Sequence, residues 1–321
     1  MSTVLPLVDG ARSGRTRDIA RLISLVESGS DDVPAVMREL ASSAGSARVI
    51  GITGSPGVGK STTTSAIISR FRAAGLRVGV LAVDPSSPFS GGALLGDRIR
   101  MQQHATDEGV FIRSMASRGH LGGLAATTPQ ALRELDAAGF DVEVIEKVGV
   151  GQTEVEVAGS ADTTLVLLAP GMGDGIQAAK AGILEVGDVF AVNKADRDGA
   201  DSTVRELRAM VMLGDRSGQA WIPPVVKTVA STGEGIDGLM AALDDHREWL
   251  LASGQLEARR VQRARDEIEA IALASLRRSL AAGDRQLRFD GLAAEVAAGR
   301  TDAFTAAADL IADLLADGPP R

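Results

Sequence analysis

Residues 54–61 have the types and the spacing of a loop that binds phosphate. They fit the pattern G-x-x-x-x-G-K-[ST], in which glycines let the backbone curl until several N–H groups point inward at one anion. The lysine of this pattern reaches the β- and γ-phosphates of a nucleotide, and the final hydroxyl binds Mg²⁺. The expected nucleotide contacts in and after this loop are Gly54, Pro56, Gly57, Val58, Gly59, Lys60, Ser61 and Thr62.

The segments that flank this loop are those a phosphate site requires. Residues 48–53 have the composition of a buried strand, and residues 61–74 have that of a helix. The loop would therefore lead into a helix N-terminus, whose dipole favours the negative charge of the phosphates. With strand, loop and helix all in place, a chance glycine-rich turn is the less favoured interpretation.

A second polar motif, residues 193–196, indicates which base the nucleotide carries. It reads N-K-x-D directly after an apolar strand, as in the guanine-recognition motif of GTPases. The Asp196 carboxylate can accept from the ring N–H and the exocyclic amino group of guanine. Adenine has no such donor pair, and a buried acceptor left unpaired costs about 1–3 kcal/mol. Asn193 would hold the loop and the base edge, and the aliphatic stem of Lys194 would cover the ring.

Residues 229–236 resemble a second, weaker base-side signature, S-A-x-x-x-x-G-[IVL], with Val229 in place of serine. The backbone N–H of Ala230 would donate to the guanine carbonyl oxygen, and Ser231 follows it in the loop. Because this loop comes after a phosphate loop and an N-K-x-D motif in the expected order, the sequence favours GTP over ATP.

Carboxylates at two predicted strand ends suit Mg²⁺, which takes few protein ligands and keeps several waters. Asp84 ends one strand, and Glu146 ends another at the place where GTPases usually carry D-x-x-G. Together with Ser61 they form the predicted metal site. An ordinary capping acid at a strand end is the alternative for each carboxylate.

Hydrolysis also needs an oriented water and charge stabilisation at the γ-phosphate. The candidate catalytic residues are Lys60, Glu146 and Gln152, although a Ras-like glutamine would stand where Val150 does. The sequence therefore predicts slow intrinsic hydrolysis, raised when a partner orders the loops. Arginines that could stabilise charge are Arg98, Arg100, Arg113 and Arg118.

The elements that would position these residues alternate between apolar strands and helices from about residue 48 to residue 249. Near-continuous apolar strands separated by helices indicate an α/β fold, with a mostly parallel central sheet and helices on both faces, as in the G domain of a P-loop NTPase. The predicted strands span residues 48–53, 78–83, 109–113, 142–146, 164–168, 188–192 and 224–228.

Helical extensions precede and follow this region. Apolar residues recur at helical spacing over residues 19–26 and 33–40, and again in two stripes after residue 260. We predict an N-terminal helical extension over residues 1–46, a GTPase domain over 47–249 and a C-terminal helical dimerisation region over 250–321. Packing of the C-terminal helices back onto the sheet is the alternative to dimerisation.

Composition limits the classes of function. The 321 residues are 45% hydrophobic, with a net charge of −8 and a pI near 5.1, which argues against a nucleic-acid binder. There is no cysteine, so thiolate chemistry and disulfides are excluded. No apolar run approaches the roughly 18 to 20 residues of a membrane span, and no signal peptide is evident. We therefore expect a cytoplasmic protein.

Three glycine-rich segments, residues 84–101, 111–124 and 148–154, complete the set of motifs. With the phosphate loop and the N-K-x-D motif they resemble the MeaB/ArgK family, P-loop GTPases of the SIMIBI class. The resemblance implies a GTP-dependent chaperone of an adenosylcobalamin-dependent acyl-CoA mutase, such as methylmalonyl-CoA mutase, that gates cofactor loading and protects the mutase. It also implies a homodimer formed through the C-terminal helices, and hydrolysis that stays slow until the mutase binds.

Two details bear on this resemblance. The family usually has threonine where Lys147 stands, and we interpret Lys147 as a solvated loop lysine rather than a contact of the γ-phosphate or of a partner. The loop that carries Asp174 and Lys180 resembles an additional family switch that relays nucleotide state to the mutase.

Two other functions compete with this interpretation. A nickel metallochaperone GTPase would tend to carry histidine-rich tracts or cysteine pairs, whereas this chain has only His104, His120 and His246, which we interpret as surface or loop residues. A kinase linked to basic amino-acid transport would tolerate ATP, against which Asp196 argues. A purely structural protein would leave the phosphate loop unexplained.

Overall fold

The computed structural model describes residues 4–41, 43, 45–85, 101–117, 123–147, 153–171, 183–213, 221–281 and 283–316. The chain divides into two compact units, Met1–Arg265 and Asp266–Arg321. The predicted domain limits at residues 46 and 249 stay predictions.

The first unit is built on a parallel sheet of seven strands in the order β3-β2-β4-β1-β5-β6-β7. Strand β1 lies in the middle, with β4 on one side and β5 on the other, so the loop that follows it lies at the centre of the carboxyl edge. The strands are β1 Arg48–Thr53, β2 Val78–Pro85, β3 Val110–Ser117, β4 Val142–Lys147, β5 Thr163–Leu168, β6 Val189–Asn193 and β7 Val225–Thr228. The predicted fold class is confirmed.

Helices cover both faces of this sheet. In the described ranges, the helices that begin in the first unit are α1 Val4–Arg12, α2 Thr16–Ser28, α3 Val33–Leu40, α4 Lys60–Ala73, α5 Gly123–Ala137, α6 Thr153–Ser160, α7 Ile183–Val186, α8 Ala200–Leu213, α9 Ile236–Ala252 and α10 Gln255–Leu280. A short 3₁₀ helix, Gln102–His104, precedes β3.

Neighbouring residues of one strand enter different cores, as the pleat requires. In β1, Val49 packs with α1–α3 and α5, whereas Ile50 and Ile52 pack with α4 and α9. Strands β5–β7 supply a third cluster together with α8. Since both faces are buried, the strands read as continuous apolar runs.

The N-terminal helices pack against the sheet through the predicted stripe, in which Ile19, Leu22, Ile23 and Val26 are buried. Helix α1 was not predicted, because Pro6 and Gly10 interrupt its helical pattern. Strand β3 continues to Ser117, beyond its predicted end at residue 113, because it pairs with β2 as far as Pro85.

The second unit contains the remainder of α10 with two further helices, α11 Asp284–Ala297 and α12 Ala303–Ala316. Many of its large apolar side chains are exposed. They include Ile268, Ile271, Leu273, Leu276, Leu287, Phe289, Phe304 and Ile311.

Candidate nucleotide-binding site

The phosphate loop leaves the carboxyl end of β1 and enters α4 at Lys60. Three of its glycines, Gly54, Gly57 and Gly59, have positive φ angles of 142°, 81° and 95°. A Cβ on Gly54 would overlap the carbonyl oxygen of Leu167, and one on Gly59 would overlap the side chain of Asn193. Both the curl of the loop and its close neighbours therefore require glycine at these positions.

Lys60 directs its ammonium group back into the loop. Its Nζ donates to the carbonyl oxygens of Gly54 at 2.7 Å and Ser55 at 3.1 Å. A buried positive charge is thus held against the backbone of the phosphate loop, as the motif requires.

Ser61 and Glu146 meet at the start of α4. The Ser61 hydroxyl donates to Glu146 Oε1 at 2.8 Å, and both side chains are buried. Asp84 belongs to the neighbouring strand β2, which pairs with β4 through Ala82 and Glu146. The side chain of Asp84 is outside the described part of the chain.

A hydroxyl and a carboxylate that converge at the end of the phosphate loop are the hard oxygen donors that Mg²⁺ prefers. The donor set therefore fits the predicted ion. Strand order explains why residues distant in sequence meet here, since the carboxyl ends of β1, β2 and β4 lie side by side.

Asn193 ties the phosphate loop to the loop after β7. Its Nδ2 donates to the carbonyl oxygen of Val58 at 2.8 Å. Its Oδ1 accepts from the backbone N–H of Ala230 at 3.0 Å and from the Thr228 hydroxyl at 3.3 Å. The structure thus brings together three segments that the sequence predicted separately.

Lys194 and Asp196 follow Asn193 at the edge of the site. Lys194 has φ +58° and donates from Nζ to the carbonyl oxygen of Gly57 at 2.6 Å, so its stem spans from one loop to the other. Asp196 is exposed. These positions agree with a stem that covers a base and a carboxylate that reads it, and both roles stay predictions.

The backbone N–H of Ala230 donates to Asn193 Oδ1 at 3.0 Å. Its predicted bond to a guanine carbonyl oxygen stays a prediction. Val229 and Ser231 flank Ala230, with Val229 N bonded to the carbonyl oxygen of Glu234 and Ser231 exposed. Sequence reasoning did not single out Thr228, although its position just before this loop is the signal that could have identified it.

Four predictions need correction. Lys147 is only 4% exposed and belongs to β4, so it is not a solvated loop lysine. His104 and His246 are buried and not surface residues. Arg113 lies within β3, paired in register with Leu81, and bonds to Ser24 and Glu27 of α2. The arginine points to the N-terminal helices and is therefore not a charge stabiliser at the phosphates.

Several predicted residues fall outside the described part of the chain. They are Gln152, the arginines Arg98, Arg100 and Arg118, His120, and the loop residues Asp174 and Lys180.

A phosphate loop after the middle strand of a parallel sheet, tied by one asparagine to a loop after the last strand, defines a P-loop nucleotide-binding protein. Within the described ranges no helix is long and apolar enough to cross a membrane.

Comparison with known proteins identifies the family. The family model described as methylmalonyl Co-A mutase-associated GTPase MeaB matches residues 19–284. The chain belongs to this family, and the prediction of a P-loop GTPase is confirmed.

Individual relatives agree with this result. A protein of Pyrococcus abyssi with GTPase in its name is 44% identical over 314 residues, which cover 97% of each chain. The GTPase ArgK of Escherichia coli is 36% identical over 270 residues, 82% of each chain. A crystal structure of an LAO/AO transport system kinase superposes with a TM-score of 0.72 at 26% identity, over 98% of each chain.

Proposed function

We propose that this protein is a GTP-binding and GTP-hydrolysing chaperone of an adenosylcobalamin-dependent acyl-CoA mutase, with methylmalonyl-CoA mutase as the first candidate. It would gate cofactor loading and protect the mutase. The observation that carries this proposal is the family match over residues 19–284, which includes both the phosphate loop and the base-side loops. The expected compartment is the cytoplasm.

In this proposal the phosphate loop and Lys60 bind the β- and γ-phosphates, while Asp196 selects guanine. Mg²⁺, held by Ser61, Asp84 and Glu146, would neutralise charge on the phosphates when bound. Glu146 already orients the Ser61 hydroxyl in the protein itself. Asn193 keeps the base side and the phosphate side at a fixed spacing, since it bonds to both loops.

Slow hydrolysis in isolation is part of the proposal. The groups described around the loop bind phosphates and base, and none of them is placed as the residue that orients water; Gln152 is the candidate for that role. We infer that the mutase completes this arrangement, which would make turnover dependent on the partner.

The C-terminal helices would form the homodimer. Phe304 is 90% exposed and Leu287 is 71% exposed, so the second unit presents apolar side chains that a symmetric partner could cover.

Complex formation tests the chaperone role. The protein would be mixed with purified methylmalonyl-CoA mutase, with GDP or with a slowly hydrolysed GTP analogue, and the mixture analysed by size-exclusion chromatography. We expect a complex whose stability depends on the nucleotide. No complex with either nucleotide, while GTP binds normally, would contradict the mutase assignment and leave the GTPase assignment intact.

A kinase acting on basic amino acids is the second candidate, because the superposed crystal structure is named a transport system kinase. It predicts transfer of the γ-phosphoryl group to added lysine, arginine or ornithine. Radiolabelled GTP and ATP with each amino acid would distinguish the two, since the GTPase releases inorganic phosphate only.

A further inference from the structure

Three arginines in the first turns of α10 bind carboxylates at the amino ends of the strands, which lie opposite the phosphate loop. Arg259 makes a bidentate pair with Asp188, with N–O distances of 2.9 and 2.8 Å. Arg260 and Arg263 both bind Asp162, at 3.0 and 2.6 Å. These five residues all belong to the first unit, and we call them the arginine clamp.

Asp162 joins this clamp to the middle of the sheet. It is only 4% exposed, it directly precedes the first residue of β5, and its Oδ2 accepts from the backbone N–H of Val49 in β1 at 3.1 Å. Although burial alone raises the pKa of Asp162, the charges of Arg263 and Arg260 hold that pKa below its usual value. The carboxylate is therefore ionised, and it depends on both arginines for its neutralisation.

The other bonds of the clamp reach the neighbouring segments. Arg260 donates to the carbonyl oxygen of Ala47, just before β1, at 2.8 Å. Arg263 donates to the carbonyl oxygen of Ser160, the last residue of α6, at 3.2 Å. Helix α6 is packed closely on β1, since a Cβ on Gly51 would meet Val157 at 2.6 Å.

Strands β1 and β5, whose amino ends the arginine clamp contacts, have their carboxyl ends at the phosphate loop. β1 and β5 pair from Ile50 and Thr163 to Thr53 and Val166, and Gly54 then lies against the carbonyl oxygen of Leu167. About five extended residues, roughly 17 Å, separate the two ends. Because close-packed interiors have low compressibility and transmit strain, we expect a displacement of Gly54 to be felt at Asp162 through both strands.

A built-in reporter lies beside the clamp. The chain has two tryptophans. Trp221 donates from Nε1 to the carbonyl oxygen of Asp188 at 2.8 Å. The ring of His246 lies 4.8 Å from that of Trp221 and 5.7 Å from that of Trp249, measured between centroids.

We propose that the arginine clamp couples two things: the nucleotide state of the phosphate loop, and the strength of the bonds that hold the start of α10 to Asp162 and Asp188. The inference rests on the proposed GTP binding. If GTP and GDP position Gly54 differently, they strain Asp162 and its arginines differently. By thermodynamic reciprocity, weakening the clamp must then change the relative affinity for the two nucleotides.

The test uses full-length protein and isothermal titration calorimetry with GDP and a slowly hydrolysed GTP analogue. The clamp variants are Arg260→Gln and Arg263→Gln, with Arg263→Lys as a milder change that keeps the charge. Arg265→Gln, on an exposed position of the same helix, is the matched control. Circular dichroism verifies folding, and tryptophan emission is recorded in each nucleotide state.

We expect the ratio of the two dissociation constants to change by about fivefold or more in the clamp variants, and by less than about twofold in Arg265→Gln. We also expect tryptophan emission of the unaltered protein to differ between the two nucleotides, and we expect the clamp variants to lose this difference. An unchanged ratio in folded clamp variants, or an equal change in Arg265→Gln, overturns the inference. Absence of GTP binding to the unaltered protein overturns the proposed function itself.

Discussion

Asn193 shows how one residue can determine the spacing of a site. Its two polar side-chain atoms bond to Val58 on the phosphate side and to Ala230 and Thr228 on the base side. These bonds are buried, so loss of one leaves a polar group without a partner. In the proposed site, base recognition by Asp196 and phosphate binding by Lys60 would therefore depend on Asn193, which bonds to both loops.

Asp196→Asn should weaken GTP binding about tenfold or more and favour a xanthosine nucleotide, because the new amide cannot accept both guanine N–H donors. Competition binding with GTP, XTP and ATP measures this preference. Asp198→Asn, an exposed neighbour, is the control and should keep GTP affinity. GTP preference that survives Asp196→Asn would remove Asp196 from the base site.

Gly59→Ala should lower stability more than Gly57→Ala. Both positions have positive φ, which costs an alanine about 1–2 kcal/mol. Only at Gly59 would the Cβ overlap Asn193, whereas none of the described atoms lies within 4 Å of a Cβ on Gly57. We expect an additional loss of about 1 kcal/mol in urea unfolding of Gly59→Ala without nucleotide. Equal losses would contradict the contact with Asn193.

At the scale of elements, α9 carries a buried histidine against the amino edge of the sheet. His246 is 0% exposed, lies 2.9 Å from the Thr163 hydroxyl, and stacks on Trp249. Burial lowers the pKa of His246 to about 4, with Asp188 acting in the opposite direction. The imidazole is therefore neutral at pH 7 and serves the packing of α9.

This histidine makes stability depend on pH. Between its folded pKa of about 4 and its unfolded value of 6.5, the unfolded chain binds more protons. Stability consequently falls as the pH falls through this window, by about 3 kcal/mol in total. Urea unfolding, followed by tryptophan emission at several pH values, gives the free energy of unfolding as a function of pH. Between pH 4 and 6.5 this free energy should change less with pH in His246→Gln than in the unaltered protein. An identical pH dependence of the unfolding free energy in the two proteins would show that His246 does not titrate in this way.

Glu134 on α5 makes stability depend on pH in the opposite direction from His246. Burial, with a smaller contribution from Glu27, raises the pKa of Glu134 well above its usual value. As the pH rises above 4.5 the unfolded chain loses this proton while the folded chain keeps it, so stability is lost with rising pH. Glu134→Gln should therefore be more stable than the unaltered protein at pH 8. Glu108→Gln, an exposed control, should be unchanged, and no gain in Glu134→Gln would contradict a buried neutral acid.

The sequence identified elements with simple periodicity and missed those that tertiary contacts decide. The sheet, α4 and the phosphate loop follow from apolar runs and glycine spacing. The sequence predicts a solvated loop position for Lys147 and a surface or loop position for His246, yet both are buried. Their burial depends on strand pairing and on the packing of α9, and neither leaves a signal in local sequence. The pairing of Asn193 with Ala230 is likewise a contact over 37 residues.

At the scale of the whole molecule, a GTPase unit is combined with a helical unit rich in exposed apolar side chains. An acidic chain with this surface is expected to associate with protein partners rather than nucleic acid. The proposed dimer and the proposed mutase complex both require such association.

Sedimentation measurements test the dimer. The unaltered protein should sediment as a dimer, whereas Leu287→Glu and Phe304→Glu should shift it toward the monomer, because a buried unpaired carboxylate opposes an apolar interface. Leu251→Glu changes an exposed leucine of α9 in the first unit and should leave the dimer intact. A monomeric unaltered protein would contradict dimerisation through the C-terminal helices.

The rate of GTP hydrolysis with and without the mutase tests the account most directly. Phosphate release would be followed at saturating GTP and Mg²⁺, first for the protein alone and then with increasing purified methylmalonyl-CoA mutase. The account predicts slow release alone, a rise that saturates with mutase concentration, and no rise for Lys60→Ala. Fast release by the isolated protein, or no response to a mutase that binds it, would contradict the account.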